Sequence, residues 1–172
     1  MKKFFNSPLF LSMCFAALLF TVYSCKDEES PIVPVGPDAK SINGTIRFVD
    51  TNFILTGGTY LISAYPSSGW PPTGGPTAFD TIKISRINNV LNLSYNYKLV
   101  DLNPGSYVVS VGFRKNTGGQ SPIMSVYGCD TARAQYSLCY RNPSLKATIG
   151  AENQGAENIN MISWSDTTKK ID

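Results

Sequence analysis

The 172-residue chain carries 15 Lys and Arg against 12 Asp and Glu, four Cys and no His. Without His there can be no Ser-His-Asp triad, no Cys-His pair and no His-ligated zinc, which excludes most familiar hydrolase designs. Charged residues make up 16%, below the roughly 25% of an average globular protein, while 14 Gly and 11 Pro indicate many turns. This composition predicts an exported, β-rich protein.

Residues 1–24 have the features of a secretory signal peptide. Lys2 and Lys3 precede an apolar stretch at 8–20, which is too short and wrongly flanked for a membrane span. The run Val22-Tyr23-Ser24-Cys25 that follows resembles a bacterial lipobox of the looser Bacteroidetes type. The resemblance implies cleavage before Cys25 and acylation of its thiol and amine. An ordinary signal peptide with a nearby Cys is the alternative.

Residues 25–39 predict a solvated, disordered tether between the lipid and the folded domain. Lys26, Asp27 and Glu28 follow Cys25 directly, and a Pro-rich stretch comes next. Such a segment cannot bury enough apolar surface to fold. Lys followed by two acids after a lipidated Cys resembles the signal that exports Bacteroidetes-type lipoproteins. The resemblance implies a lipid-anchored protein of the outer membrane that faces the cell exterior, whereas a plain charged spacer is the alternative.

Residues 40–166 predict one all-β domain, an Ig-like or prealbumin-like antiparallel β-sandwich of about seven to eight strands, because short β-like runs alternate with turn clusters. Residues 167–172 are assigned to a C-terminal tail. Alternating apolar residues should place Ile42, Ile46 and Phe48 inward on the first strand. The predicted strands are 42–48, 60–65, 81–87, 93–102, 106–114, 123–127, 145–149 and 159–164.

The stretch 97–111 contains two of these strands and the turn Asn103-Pro104-Gly105 between them. It resembles the Y-x-x-x-x-L-x-P-G-x-Y-x-V-x-V pattern of carboxypeptidase regulatory-like, prealbumin-like domains, and residues 42–46 are similar to the first strand of that group. The resemblance implies a small sandwich used as a binding or spacer module without catalysis. The residues themselves predict that Leu102 and Tyr107 enter the core around a short hairpin or a corner.

Two of the four cysteines remain available in the mature domain. Cys14 is removed with the signal peptide and Cys25 is the expected acylation site, which leaves Cys129 and Cys139. In an oxidising compartment these two should form a disulfide. A redox-active pair is the alternative, although the spacing is far from C-x-x-C.

The most unusual loop runs from Tyr65 to Phe79 and places Trp70 among Pro and Gly residues. Aromatic side chains on a rigid loop can stack on a sugar ring or dock on a partner protein, so Tyr65, Trp70 and Phe79 are candidate ligand contacts. The alternative is that Trp70 caps the open end of the core.

Three Asp-Thr triplets resemble the Bacteroidetes-type O-glycosylation motif. They make Thr81, Thr131 and Thr167 candidate acceptors for a glycan. The alternative is that each Asp-Thr pair forms local side-chain hydrogen bonds at the end of a strand.

The remaining motifs favour a binding protein over an enzyme. The carboxylates are scattered without a calcium loop, and no phosphate-binding motif or basic stripe occurs, so no catalytic residue, metal, cofactor or nucleic-acid partner is predicted. The sequence predicts a non-enzymatic lipoprotein that is attached to the membrane by its N-terminal lipid and binds a glycan, an envelope protein or a host surface. A structural accessory subunit of an outer-membrane assembly is the alternative, and a carboxylate-based enzyme comes third.

Overall fold

The computed structural model describes residues 36–119, 121–129 and 138–171. Ten strands lie within these ranges: β1 (Ile42–Phe48), β2 (Gly58–Pro66), β3 (Ala78–Thr81), β4 (Arg86–Ile87), β5 (Val90–Leu91), β6 (Ser94–Leu99), β7 (Gly105–Lys115), β8 (Ile123–Val126), β9 (Ala147–Ile149) and β10 (Met161–Ser163). One short helix, α1 (Leu138–Arg141), and two 3-10 turns complete the described elements. The signal peptide, the lipidation and export residues and one glycan acceptor lie outside the described residues: Cys25, Lys26, Asp27, Glu28 and Thr131.

Two main sheets face each other. The smaller has the order β10-β1-β6, and the larger has the order β3-β2-β7-β8 with β9 paired to the start of β7. Strands β4 and β5 form a separate hairpin. All pairs are antiparallel except β1 with β10, which are parallel. The chain is therefore an all-β sandwich, as predicted, although the described residues contain ten strands rather than seven to eight.

The core fills the space between the two main sheets. Ile46 of β1 and Ile62 of β2 are fully buried within it, as are alternate residues of β7. At one end the core is aromatic, with Tyr60 packed edge-on against Phe48 and Phe113 at centroid distances of 5.9 and 4.9 Å. This edge-on packing adds to the burial of apolar area. The inward positions predicted for Ile46 and Phe48 are confirmed.

The segment between β6 and β7 is a corner and not a hairpin, because β6 belongs to the smaller sheet and β7 to the larger one. Leu102 is fully buried at the crossing. The hydroxyl of Tyr107 donates a hydrogen bond to the carbonyl of Asn103 at 2.8 Å. This is the arrangement of the tyrosine corner found in Ig-like sandwiches. The pattern that predicted buried Leu102 and Tyr107 is thus confirmed.

The predicted strand 81–87 is wrong as a single element. β3 ends at Thr81, and the ladder resumes only at Arg86 in the separate hairpin. The N–H of Ile82 still donates to the carbonyl of Tyr60 on β2 at 2.9 Å, whereas Ile84 packs against the core outside any strand. The apolar alternation beyond Ile82 therefore reports burial without strand pairing. The chain leaves the edge of the sheet after this point, and the turn at Asn88 and Asn89 reverses it within the hairpin. Both turn residues have positive φ, as a two-residue type I′ hairpin requires.

Residues just outside both predicted boundaries of the domain make contacts with the sandwich. Asp38, assigned to the tether, accepts a hydrogen bond from Ser41 through its carbonyl and pairs with Lys98 at 2.5 Å. At the other boundary Ile171 is 2% exposed, and its N–H donates to the carbonyl of Ile123 at 2.8 Å. Residues 167–171 therefore pack on the sandwich.

The strand directions define two ends of the domain. The tether end is where β1 begins and β6 ends, and the far end is where β1, β7 and β10 end. Because β2 is antiparallel to β7, the loop that follows β2 leaves from the tether end. The β4–β5 hairpin follows β3 at the far end.

Candidate ligand-binding groove

A groove of about 550 Å³ lies on the outer face of the larger sheet. Its floor consists of side chains that alternate with core residues along β2 and β7, including Leu61, Ser63 and Ser110. Gly112 adds no side chain, which keeps part of the floor low. Residues 72–76 form a wall of Pro, Thr and Gly. The volume lies within the roughly 300–1,000 Å³ typical of small-molecule sites.

The strand register brings an aromatic ring beside two hydroxyl groups. Ser63 pairs with Phe79 of β3 on one side and with Ser110 of β7 on the other. Phe79 is 54% exposed, whereas Ser63 and Ser110 are buried at the floor. Tyr65 stands on the same face, where burial raises the pKa of its hydroxyl and a hydrogen bond with Ser63 opposes that shift. The groove thus offers one open aromatic surface next to polar groups.

Trp70 stands behind the groove. Its Nε1 donates a hydrogen bond to the carbonyl of Tyr140 at 2.6 Å, and its ring packs edge-on against Tyr65 and Tyr140 at 5.6 and 5.5 Å. It also packs on a second apolar cluster, which contains Val108 and Ile171. Trp70 thus packs against two residues that line the groove, Tyr65 and Tyr140, but does not line the groove itself. Of the three candidate ligand contacts, the structure places Tyr65 and Phe79 in the groove and Trp70 outside its lining.

The predicted disulfide between Cys129 and Cys139 is confirmed. It joins the turn after β8 to α1, and the next residue, Tyr140, lines the groove. The bridge therefore fixes a segment that contributes to the lining of the groove. Nothing in the sequence links Tyr140 to Trp70, because the two residues are 70 positions apart.

One residue, Arg114, carries the charge of the groove lining. Its side chain is exposed at the far end of the floor, and no carboxylate lines the groove within the described residues. Asp80 instead faces a smaller cavity of about 320 Å³ at the open edge between the two sheets, together with Lys83. Sequence reasoning missed Arg114, because a lone Arg at an exposed strand position has no distinguishing signal.

Two of the three Asp-Thr triplets fall within the described residues. Thr81 is exposed at the end of β3, where its N–H donates to Asp80 at 2.7 Å. Thr167 begins a 3-10 turn, in which Asp166 accepts hydrogen bonds from the hydroxyl and the N–H of Thr168 that lower the pKa of Asp166. Both Asp residues thus make local hydrogen bonds. Glycosylation at these threonines stays a prediction.

Comparisons with protein families, with curated proteins and with solved structures find no match for this chain. Within the described ranges, no three His, Cys, Asp or Glu side chains converge as metal ligands would. The same ranges contain no helix that is long and apolar enough to cross a membrane. The lipoprotein and carboxypeptidase regulatory-like resemblances stay predictions.

Proposed function

We propose that this chain is a non-catalytic carbohydrate-binding module, anchored to the outer face of a bacterial outer membrane through acyl chains on Cys25. The observation that carries the binding activity is the groove on the larger sheet. Phe79 can support the apolar face of a sugar ring, while Ser63, Tyr65 and Ser121 supply hydroxyl groups that both donate and accept hydrogen bonds. A sugar presents the same two kinds of surface.

The elements around the groove are held in place before any ligand arrives. Ser63 and Ser110 lie on β2 and β7, which pair over nine positions from Gly58 to Pro66. Trp70 supports Tyr65 from behind and connects it to the disulfide-bridged segment. A binding surface on rigid elements loses little conformational entropy when a ligand binds, which favours useful affinity from a modest contact area.

Affinity electrophoresis tests the groove directly. The full-length lipoprotein in non-ionic detergent is run through gels that contain one soluble polysaccharide each, with galactomannan and xyloglucan as neutral probes and polygalacturonate, alginate and hyaluronate as acidic ones. At least one should retard the protein, and Phe79→Ala should reduce retardation at least tenfold. Ile162→Ala is the matched control, because Ile162 is 44% exposed on the smaller sheet. Retardation by none of the polysaccharides, or equal retardation of both variants, would refute the proposal.

The anchor is tested separately by metabolic labelling with a fatty acid. The label should be incorporated into the wild-type protein and be absent from Cys25→Ala. Two acyl chains or more are expected to give stable anchoring, because each buried CH₂ contributes about 0.8 kcal/mol. Labelling that persists in Cys25→Ala contradicts lipidation at this residue, whereas external protease digestion of intact cells tests whether the domain faces outward.

A structural accessory subunit of an outer-membrane assembly is a second proposal, favoured by the β4–β5 hairpin. Ile87 and Val90 pair across this hairpin and are 61% and 69% exposed at the far end. An exposed apolar pair on a protruding turn is suited to docking on another protein. Co-purification of envelope proteins with the wild type and its loss in Ile87→Ser/Val90→Ser would support this role. Co-purification that is unchanged in the variant argues against it.

A further inference from the structure

We infer that the groove binds an acidic polysaccharide, a chain of uronic acids, through an ion pair between Arg114 and a ligand carboxylate. This inference rests on the proposed function and names the ligand class. Arg114 is the one charged side chain among the described lining residues. A surface with a cation and no anion favours a ligand of negative charge, because the complementary pairing is attractive and a cationic ligand would meet repulsion.

The position of Arg114 sets the size of the ligand. Outward residues succeed one another at about 7 Å along a strand, and neighbouring strands lie about 4.8 Å apart. Phe79 and Ser110 share one row across the sheet, and Arg114 lies two outward positions beyond Ser110 with Gly112 between them. Phe79 and Arg114 are therefore about 17 Å apart at their backbones. A sugar stacked on Phe79 and a carboxylate held by Arg114 must belong to an oligosaccharide, which passes over the row of Leu61 and Gly112.

The guanidinium of Arg114 is available for a ligand. Within the described part of the chain the one ion pair joins Lys98 to Asp38, at the tether end, and Arg114 has no carboxylate partner. A free guanidinium presents two parallel N–H groups that match the two oxygens of a carboxylate. This geometry is the reason to expect a uronic acid and to expect that Lys would replace Arg114 only in part.

The charge around the groove also favours a polyanion. Strand register and neighbouring contacts place seven cations toward the far end, where Arg114 lies: Arg47, Lys83, Arg86, Arg114, Lys115, Lys169 and Lys170. Three carboxylates of the described residues, Asp50, Asp80 and Asp166, share this end, so the cations there exceed the anions by four. The resulting positive potential attracts an acidic polymer from a distance and raises its local concentration.

The test compares each acidic polysaccharide with its methyl ester, which keeps the sugar backbone and removes the charge. Full-length lipoprotein in non-ionic detergent is run in gels with polygalacturonate, alginate or hyaluronate and then with the esterified forms. Retardation is expected from at least one acid and at least tenfold less from its ester. Arg114→Gln should raise the apparent dissociation constant at least tenfold, and Arg114→Lys should raise it less.

Arg47→Gln is the matched control, because it removes one exposed cation from the same end but on the smaller sheet. It should raise the apparent dissociation constant far less than Arg114→Gln does, because Arg47 contributes only to the long-range potential and does not line the groove. Urea unfolding should show that all three variants fold. Equal retardation by acid and ester, or equal losses in Arg114→Gln and Arg47→Gln, overturns the inference. Retardation by galactomannan or xyloglucan alone also overturns the inference but leaves the proposed function standing. Retardation by no polysaccharide refutes both the inference and the proposed function.

Discussion

Replacing Gly44 with Ala should destabilise the domain far more than one added methyl group suggests. Gly44 lies in the middle of β1, where the segment before β10 crosses close to the strand. A Cβ at this position would stand 2.3 Å from the carbonyl oxygen of Ile159 and 2.6 Å from its carbonyl carbon. Contacts between such atoms are ordinary only from 3.4 Å upward, so the backbone of Ile159 has to move by about 1 Å.

The cost of that movement follows from what holds Ile159 in place. Its carbonyl accepts a hydrogen bond from the Tyr97 hydroxyl at 2.7 Å, and its N–H donates to the carbonyl of Asn43 at 3.1 Å. Losing both bonds costs about 1 kcal/mol each, and overpacking adds about 1–3 kcal/mol. Alanine recovers about 0.5–1 kcal/mol, because it restricts the unfolded chain more than glycine does. The expected net loss is about 2–4 kcal/mol.

Urea unfolding followed by far-UV circular dichroism measures this loss. The midpoint of Gly44→Ala should fall by about 1–2 M relative to the wild type. Gly69→Ala is the matched control, because a Cβ there meets no atom within 4 Å, and its stability should change by less than about 0.5 kcal/mol. A Gly44→Ala midpoint equal to that of Gly69→Ala would refute the close crossing of β1 by this segment.

Three further predictions concern stability. Tyr107→Phe keeps the buried ring but loses the hydrogen bond to Asn103, so urea unfolding should show a loss of about 1 kcal/mol; no loss would mean that the corner bond contributes nothing. Cys129→Ser/Cys139→Ser should lower the free energy of unfolding by about 2.5 kcal/mol and weaken retardation by polysaccharide. Unchanged retardation would show that the disulfide does not affect the groove. Burial raises the pKa of the Tyr97 hydroxyl, so the unfolded chain loses this proton at a lower pH than the folded protein does. The resulting contribution to stability is fully present below about pH 10, and above that pH the free energy of unfolding should fall by up to about 1.4 kcal/mol per pH unit. Unfolding midpoints at pH 8 and 11 should show a smaller decline in Tyr97→Phe, and an equal decline would contradict the effect of burial.

The sandwich could be predicted where local pattern and burial coincide. Along β1 each apolar position meets the core, and along β7 each does except Val108, which faces the second apolar cluster, so alternation gives both strands and their inward faces. The disulfide followed from elimination among four cysteines. The same alternation misled at 81–87, because Ile84 packs against the core from a stretch that lies outside any strand.

The groove could be predicted only in part, because its residues meet through register and not through spacing. The unusual loop pointed to Tyr65 and Phe79, and both line the groove. Ser63 and Ser110 look like the ordinary polar side of two strands, and their pairing becomes meaningful only once β2 lies beside β7. Trp70 drew attention by its chemistry, yet the partner that holds it, Tyr140, is distant in sequence.

The parallel pairing of β1 with β10 determines how the domain would carry a mechanical load. β1 starts beside the tether and runs toward the far end, where β10 also ends. A pull between the tether and that far end acts along the strands, across the hydrogen bonds that join β1 to β6 and β10. Because those bonds lie across the strands, such a pull loads them in shear and they resist together, whereas a pull at right angles would open them one after another. Tension along the strands of the smaller sheet is thus resisted by all of these hydrogen bonds at once.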